Sequence, residues 1–247
     1  MTRSAILQHP IAELPAEPEP AMRRDPDYQS YLRQFEQNYE KLNYASNLSS
    51  RVLAHSHAVL ERMSGPRDTF HKVLEIGAGS GRHAGYVRHG FAEYWLTDGN
   101  PKMLDQAKAR FGTDSRFRYQ VEDARGLSFA NAGFDRVIAT HVLEHIVNPH
   151  DVLREWARLV KPGGVLSLVL PCDPGLAWRI GRSFGVRQRA RDAGLEYDYW
   201  MAREHVNSIF NLVTFIHYYF ADVQERWWPM RLPLPDINLI YAANIKV

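Results

Sequence analysis

The chain has 247 residues, 45% of them hydrophobic, which is enough for one large α/β domain with additional segments. A formal net charge of +2 is too small to indicate nucleic-acid binding by itself, and the single cysteine, Cys172, excludes an internal disulfide. The sequence shows no apolar run of membrane-spanning length and no signal-peptide core, so we expect a soluble cytoplasmic protein.

The N-terminal quarter has two kinds of sequence. Residues 1–26 contain several prolines among scattered acids, which predicts a flexible tail. Residues 27–63 are predicted to form two helices, because apolar side chains recur at helical spacing in the second. These are Leu48, Val52, Leu53, Val59, Leu60 and Met63. Ser56 is a polar interruption of that stripe, and Gly65-Pro66 breaks the pattern.

An apolar strand that breaks into a glycine-rich loop comes next. Residues 73–76 are apolar apart from Glu75, as expected of a central parallel strand. Glycines at alternate positions then leave space for a ligand against the backbone: Gly77, Gly79 and Gly81. We expect a helix over 82–89 whose free N–H groups face the same place. The dinucleotide-binding fingerprint needs a third glycine where this chain has Arg82, so the spacing differs from that motif.

Apolar strands and helices then alternate, which predicts a parallel sheet with crossover helices. We predict strands near 72–77, 93–98, 116–121, 134–140 and 164–170, and helices near 82–89, 101–111 and 150–160. A helix near 206–218 and an antiparallel pair, 219–228 with 237–246, would complete the sheet. Ligands of such sheets bind beyond the carboxyl ends of the strands. The glycine loop lies there, with Asp98, Asp123, His141 and Pro171.

Several motifs in order resemble those of one enzyme family. Glu75-x-Gly77-x-Gly79-x-Gly81 is followed by Asp98 and by the segments 100–107, 122–124, 134–145 and 159–166. As a set, they resemble the class I S-adenosylmethionine-dependent methyltransferases, closest to the small-molecule branch that acts on quinones, sugars and natural products. The resemblance implies an α/β, Rossmann-like three-layer sandwich, with a mostly parallel seven-stranded sheet whose last strand is antiparallel. It also implies one methyltransferase domain over 27–247.

The resemblance implies S-adenosylmethionine as cofactor and S-adenosylhomocysteine as product. Asp98 would accept from the ribose hydroxyls, Met103 would contact the adenine face and Asp123 would accept from the adenine amino group. The implied cofactor-binding residues are Glu75, Gly77, Ala78, Gly79, Gly81, Asp98, Gly99, Met103, Asp123, Ala124 and His141. From the residues alone, Asp98 can instead be a helix cap, Met103 core and Asp123 a turn residue. No metal is implied, because the turn after the fourth strand lacks clustered acids.

Residues 172–204 are expected to be an irregular substrate lid. The segment carries an arginine run, Arg179, Arg182, Arg187, Arg189 and Arg191, and then an aromatic cluster. The predicted substrate-binding residues are Arg187, Tyr197, Tyr199 and Trp200. The arginines suit an anionic substrate, although a charge run is also typical of a solvated surface. Trp227-Trp228 could face the pocket or a dimer contact, and the sequence does not separate these.

Histidines are the natural candidates for a general base. We expect His205 to act as the base with the neighbouring Glu204 orienting its ring, and His141 is the second catalytic candidate. His145 belongs to a Glu-His turn of the family and is expected to be structural. Cys172 lies where one RNA-directed type carries a nucleophile, but its surroundings differ, so we expect an incidental thiol.

The expected reaction is methyl transfer to a small-molecule acceptor, with a hydroxyl oxygen preferred over nitrogen or carbon. Two alternatives stay open. An RNA methyltransferase predicts one continuous basic face and binding that weakens steeply with salt, although the mild net charge disfavours a nucleic-acid partner. A non-catalytic S-adenosylmethionine-binding protein predicts a complete cofactor site without turnover. The sequence leaves the oligomeric state open.

Overall fold

The structure, a computed structural model, describes residues 27–28, 30–31, 48–65, 67–183, 186–192, 194 and 196–247. The predicted tail at 1–26 and most of the first predicted N-terminal helix lie outside these residues. Within the described ranges, no helix combines the length and the apolar character that crossing a bilayer requires.

A single seven-stranded sheet forms the centre of the fold, in the order β3-β2-β1-β4-β5-β7-β6. Its first five strands are parallel, and β7 runs antiparallel between β5 and β6. The strands are β1 (Thr69–Ile76), β2 (Gly90–Asp98), β3 (Phe117–Val121), β4 (Phe134–Thr140), β5 (Val160–Pro171), β6 (Val223–Trp228) and β7 (Ile240–Lys246). The expected fold class, including the antiparallel last strand, is therefore confirmed.

Seven α-helices lie between residues 48 and 219 of the described ranges. They are α1 (Leu48–Glu61), α2 (Pro101–Phe111), α3 (Pro149–Leu159), α4 (Leu176–Ser183), α5 (Val186–Asp192), α6 (Tyr197–Glu204) and α7 (Ile209–Tyr219). Local signals set the start of α2, since the Asn100 side chain accepts from Lys102 N at 3.0 Å and Pro101 occupies the first turn.

The prediction of a helix over residues 82–89 is wrong. Only one 3-10 turn forms, His83–Tyr86, and Val87 is already extended at φ −60°, ψ 130°. His83 and Ala84 of this turn are buried, and the His83 ring lies against Glu61 of α1. Burial of these side chains under α1 outweighs local helix propensity here.

Apolar side chains cover both faces of the sheet, which makes three layers. On one face, α3 and α7 pack through Trp156, Leu153 and Leu212. Leu60 of α1 and Leu104 of α2 pack on the opposite face. Because the strands are buried on both sides, their carboxyl ends form one edge on which the connecting loops converge.

A buried ion pair fastens α1 to the middle of the sheet. The Arg136 side chain of β4 is fully buried, with Nη2 2.9 Å from Glu61 Oε1. His83 Nε2 lies 3.2 Å from the same oxygen. Burial raises the pKa of Glu61, but the contact with His83 and the charge of Arg136 outweigh it and hold that pKa below its ordinary value. Arg136 Nε also donates to Ser167 Oγ at 2.9 Å.

Candidate active site at the carboxyl edge of the sheet

The glycine loop turns sharply after β1. Gly77, Gly79 and Gly81 have φ values of +64°, +53° and +73°, a region that side-chain-bearing residues rarely adopt. A Cβ added to Gly77 would lie 2.5 Å from Val142 Cγ2. The loop backbone therefore packs directly against the turn after β4.

Asp98, the last residue of β2, braces this loop. Its Oδ2 accepts from Gly79 N at 2.9 Å, and its Oδ1 accepts from Asn100 N at 2.8 Å. Burial raises the pKa of the carboxyl, while these two backbone hydrogen bonds lower it in part. A carboxylate has further lone pairs, so Asp98 can still accept from hydroxyls.

A groove of about 570 Å³ opens beside Asp98, a volume within the range of small-ligand sites. Its described lining combines acids, small residues and apolar side chains: Gly77, Asp98, Gly99, Val121, Glu122, Asp123, Ala124 and Val142. The Asp123 carboxylate accepts from Arg125 Nε at 2.9 Å, and its hydrogen bonds with Arg125 lower its pKa to about 2. Among these lining residues there is no Lys or Arg that would favour a phosphate-rich ligand.

His141 connects α1 to the turn after β4. Its Nε2 lies 2.9 Å from Ser56 Oγ, and Ser56 Oγ donates to Leu53 O at 2.7 Å, so His141 Nε2 is the donor in their contact. Its Nδ1 lies 3.6 Å from Glu144 Oε1. Ser56 was not a predicted site residue, although its polar interruption of the apolar stripe was a usable signal.

His205 pairs with an acid from a different part of the chain. Its Nδ1 lies 2.8 Å from Oδ2 of Asp173, which follows β5 directly. Arg182 Nη1 approaches the same oxygen at 3.4 Å. Both His205 and Asp173 are largely buried.

The expectation that Glu204 orients His205 is therefore corrected. The Glu204 side chain forms a hydrogen bond with Tyr28 instead, and its backbone oxygen accepts from His145 Nδ1 at 2.9 Å. Adjacent residues at a helix end point in different directions, so sequence proximity did not identify the partner of His205.

Comparison with known proteins shows which family this part of the chain resembles. Residues 74–168 match a family model described as a methyltransferase domain. The chain is similar to Methyltransferase GfsG of Streptomyces halstedii, at 32% identity over 40% of this chain and 37% of that protein. It is also similar to the demethylmenaquinone methyltransferase of Clavibacter sepedonicus, at 30% identity over 38% of each chain. The chain spans 4% to 52% of the length of the first curated relatives that it matches.

A solved structure with the same fold is the N-methyltransferase NodS of Bradyrhizobium japonicum WM9 in complex with S-adenosyl-l-homocysteine. It aligns with a TM-score of 0.62 at 18% identity, over 89% of this chain and 97% of that one. The chain carries a class I, S-adenosylmethionine-dependent methyltransferase domain. Its cofactor is S-adenosylmethionine.

The groove of this domain fits that cofactor. Its acids suit a ligand with hydroxyl, amino and cationic groups, and the apolar side chains of Val121 and Val142 suit a flat ring. Asp98 would hold the ribose and the glycine loop would lie against the methionine part. Glu75 accepts from Tyr94 Oη at 2.7 Å in the buried layer beneath the loop, where burial raises its pKa. An effect of Glu75 on the cofactor would act through the loop.

The other implied cofactor residues have the following positions. Ala78 is buried within the loop and donates its N–H to Thr97 O at 2.8 Å. Met103 is buried in the first turn of α2, and Gly99 and Ala124 line the groove. Their contacts with the cofactor remain predictions.

The segment predicted to be a substrate lid is helical, not irregular as expected. Residues 176–204 contain α4, α5 and α6. Trp200 is buried and stacks on Tyr31 with the ring centroids 4.0 Å apart, which ties α6 to the segment before α1. Arg187 Nε donates to Asp198 Oδ2 at 2.7 Å. Tyr197 lies beside Arg182, and Tyr199 lies edge-on to Trp200.

These lid contacts are internal, so the substrate contacts of Arg187, Tyr197, Tyr199 and Trp200 remain predictions.

Replacing Asp98 with alanine is expected to weaken S-adenosylmethionine binding about 10- to 100-fold, because hydrogen bonds to a charged group contribute about 1.5–3 kcal/mol each. Calorimetric titration measures the change. Asp98→Asn separates the charge from the bracing of the loop, since its amide oxygen can still accept from one backbone N–H. Asp105→Ala, at an exposed position of α2, is the matched control. Unchanged affinity in Asp98→Ala would remove Asp98 from the cofactor site.

Proposed function

We propose that this protein transfers a methyl group from S-adenosylmethionine to a hydroxyl oxygen of a small-molecule acceptor. The acceptor would bind between the lid and the carboxyl ends of β4 and β5. The names of the relatives support a small-molecule acceptor, because they include a demethylmenaquinone methyltransferase and polyketide synthases. The predicted lid supports it as well. Its first helix, α4, begins three residues after Asp173, so the predicted lid adjoins the proposed acceptor site.

The proposal of a hydroxyl acceptor rests on the contact between His205 and Asp173. Because Nδ1 faces a carboxylate at 2.8 Å, the proton of the neutral ring resides on Nδ1 and the lone pair on Nε2. A hydroxyl is too weak an acid to lose its proton unaided, and a histidine held in one tautomer is suited to remove it. His141, whose Nε2 is engaged with Ser56, is less suited to this role.

Each part of the site then has a defined task. When bound, the cofactor would supply an electrophilic methyl group on its sulfonium sulfur, and that sulfur would keep the carbon–sulfur electron pair when the methyl group moves to the acceptor oxygen. His205 Nε2 receives the hydroxyl proton, and Asp173 stabilises the resulting imidazolium. The glycine loop and the lid hold the two reactants in line and exclude water. Such positioning can lower the barrier by about 7–11 kcal/mol.

Two lid arginines bear on the proposed charge of the acceptor, and Cys172 bears on the proposed location of the protein. Arg187 and Arg182 are engaged with Asp198 and Asp173, so an anionic acceptor would have to displace or share these contacts. Engagement of these arginines within the lid also disfavours RNA as the substrate, because RNA binding needs cations directed at phosphates.

Cys172 is a free, buried thiol, which agrees with action in the cytoplasm.

A methyl-transfer screen tests the proposal. The protein is incubated with methyl-labelled S-adenosylmethionine and separate panels of phenols, sugars and polyketide alcohols, of amines, and of RNA. Asp98→Ala serves as the negative control. We expect label on an alcohol or phenol oxygen, identified by mass spectrometry. Label on amines alone or on RNA alone would replace the proposed acceptor class. Cofactor binding without transfer to any panel would support a non-catalytic binding protein.

A further inference from the structure

The loop after β6 presents apolar side chains to solvent. Residues 229–234 are all exposed, and Met230, Leu232 and Leu234 are 56%, 52% and 53% accessible. Three large apolar side chains so close together on the surface are unusual for a protein that leaves this face in water.

The loop is held rigidly in this exposed position. The fully buried Asn238 accepts from Met230 N at 2.9 Å and donates from Nδ2 to both Leu232 O and Leu234 O at 2.8 Å. Arg231 adopts φ +60°, a left-handed conformation that costs free energy in a residue other than glycine. A buried side chain and a strained backbone therefore act together to keep the apolar residues outward.

Helix α4 extends the same apolar surface. Leu176 and Ile180, one turn apart, are about half exposed on its outer side, and Leu176 N donates to Asp236 Oδ1 at 3.0 Å next to the loop. The exposed apolar residues of α4 and of the segment between β6 and β7 are Leu176, Ile180, Met230, Leu232, Leu234 and Ile237.

Arginines border this apolar surface. A second groove of about 190 Å³ lies between α1 and β6, and Arg62, Arg226 and Arg231 line it with Trp228. In the part of the chain that the structure describes, none of these three arginines has an ion pair with an acid. The acid of the groove, Glu225, accepts instead from Tyr241 Oη and contacts His217, each at 3.1 Å.

A histidine lies beside the tryptophan of this groove. The ring of His55 lies 4.6 Å from that of Trp228. Burial and then the charge of Arg62 lower the pKa of His55. Because its three arginines have no acid partner among the described residues, the groove is suited to a phosphate-bearing anion.

We propose that the apolar loop, the outer side of α4 and the arginine groove together dock the protein on an anionic lipid bilayer. The arginines would bind lipid phosphates while the apolar side chains enter the headgroup region, the usual arrangement of interfacial binding. A second copy fits less well, because a two-fold contact through this surface would bring the same unpaired arginines together. The docking does not depend on the proposed function.

The docking surface adjoins the candidate active site. Trp228 and Pro171 both pair with Ile240, so the loop after β6 lies at the same edge of the sheet as Asp173. If the proposed function holds, an apolar acceptor dissolved in the bilayer would reach the lid directly from this side.

Vesicle flotation tests the docking. The full-length protein is mixed with phosphatidylcholine vesicles that contain or lack phosphatidylglycerol. We expect binding to the anionic vesicles that weakens with added salt. Arg226→Gln/Arg231→Gln should weaken it about fivefold for each arginine removed. Leu232→Ser/Leu234→Ser should weaken it about tenfold by loss of apolar insertion.

Matched variants make this result specific. Arg67→Gln/Arg88→Gln removes the same charge from exposed positions on loops outside the docking surface, and Tyr218→Ser removes an exposed apolar side chain of α7. Both should bind vesicles like the parent, and every variant should keep its calorimetric affinity for S-adenosylmethionine.

Three results would overturn the proposal. The first is equal binding to neutral and anionic vesicles or to neither. The second is that the protein does not bind vesicles but binds inorganic phosphate saturably, and that the arginine variant loses this phosphate binding. The third is a dimer on light scattering that Leu232→Ser/Leu234→Ser converts to monomer. Because the readouts are vesicle and cofactor binding, failure of the docking is distinguishable from failure of the proposed catalysis.

Discussion

Replacing His205 with alanine is expected to lower the rate of methyl transfer about 10²- to 10⁴-fold, the usual contribution of a positioned general base. Affinity for S-adenosylmethionine should not change, because His205 pairs with Asp173 after β5, whereas the cofactor groove is lined by residues at the ends of β1, β2 and β3 and by Val142. Single-turnover rates with an acceptor from the screen, measured beside calorimetric titration of the cofactor, separate the two effects.

Asp173→Asn tests whether Asp173 acts through His205. The amide removes the charge that fixes the tautomer and stabilises the imidazolium, so we expect a rate loss and a change in the pH profile of kcat. A purely structural Asp173 would change stability without changing that profile. His150→Ala, a partly exposed histidine of α3, is the matched control and should keep full activity. Full activity in His205→Ala would show that transfer proceeds without this base.

Replacing Arg136 with methionine is expected to lower the free energy of unfolding by about 3–5 kcal/mol, because it leaves the buried Glu61 carboxylate without its main counter-charge. His83 would remain the only positively ionisable contact of that carboxylate among those described here. Urea unfolding followed by fluorescence and by circular dichroism measures the change, and coincident transitions are needed for a two-state free energy.

The double variant Glu61→Leu/Arg136→Met is the informative companion. Removing both charges eliminates the unpaired carboxylate, so most of the lost stability should return. The pH dependence has a defined sign as well. Because the folded protein holds the pKa of Glu61 below its ordinary 4.5, the contribution of Glu61 is complete above that pH and is lost as the pH falls further. Equal losses in the single and the double variant would show that the ion pair is not what Arg136 contributes.

The cofactor half of the fold was predictable because its signals are local. The apolar run before Gly77, the alternating glycines and the acid at the end of the next strand each express a backbone requirement within a few residues. Helix α2 matched its predicted bounds because Asn100 and Pro101 mark its start. The parallel order followed from the alternation of strands and helices.

The partners of His205 and His141, at the proposed acceptor site, are encoded by no local pattern. His205 meets Asp173 32 positions earlier in the chain, and His141 meets Ser56 85 positions earlier. Burial under α1 reduced the expected helix after the glycine loop to one turn. The segment predicted to be a lid is helical, and its Trp200 stacks on Tyr31.

The fold class, the glycine loop and the acid at the end of the second strand could be read from the sequence, because strand, turn and cap preferences act between near neighbours. The acid beside His205, the ion pair that holds α1 and the apolar residues that face solvent became known from the three-dimensional structure. Each of these depends on groups that meet in space from distant parts of the chain, so each follows from the packing of the whole domain.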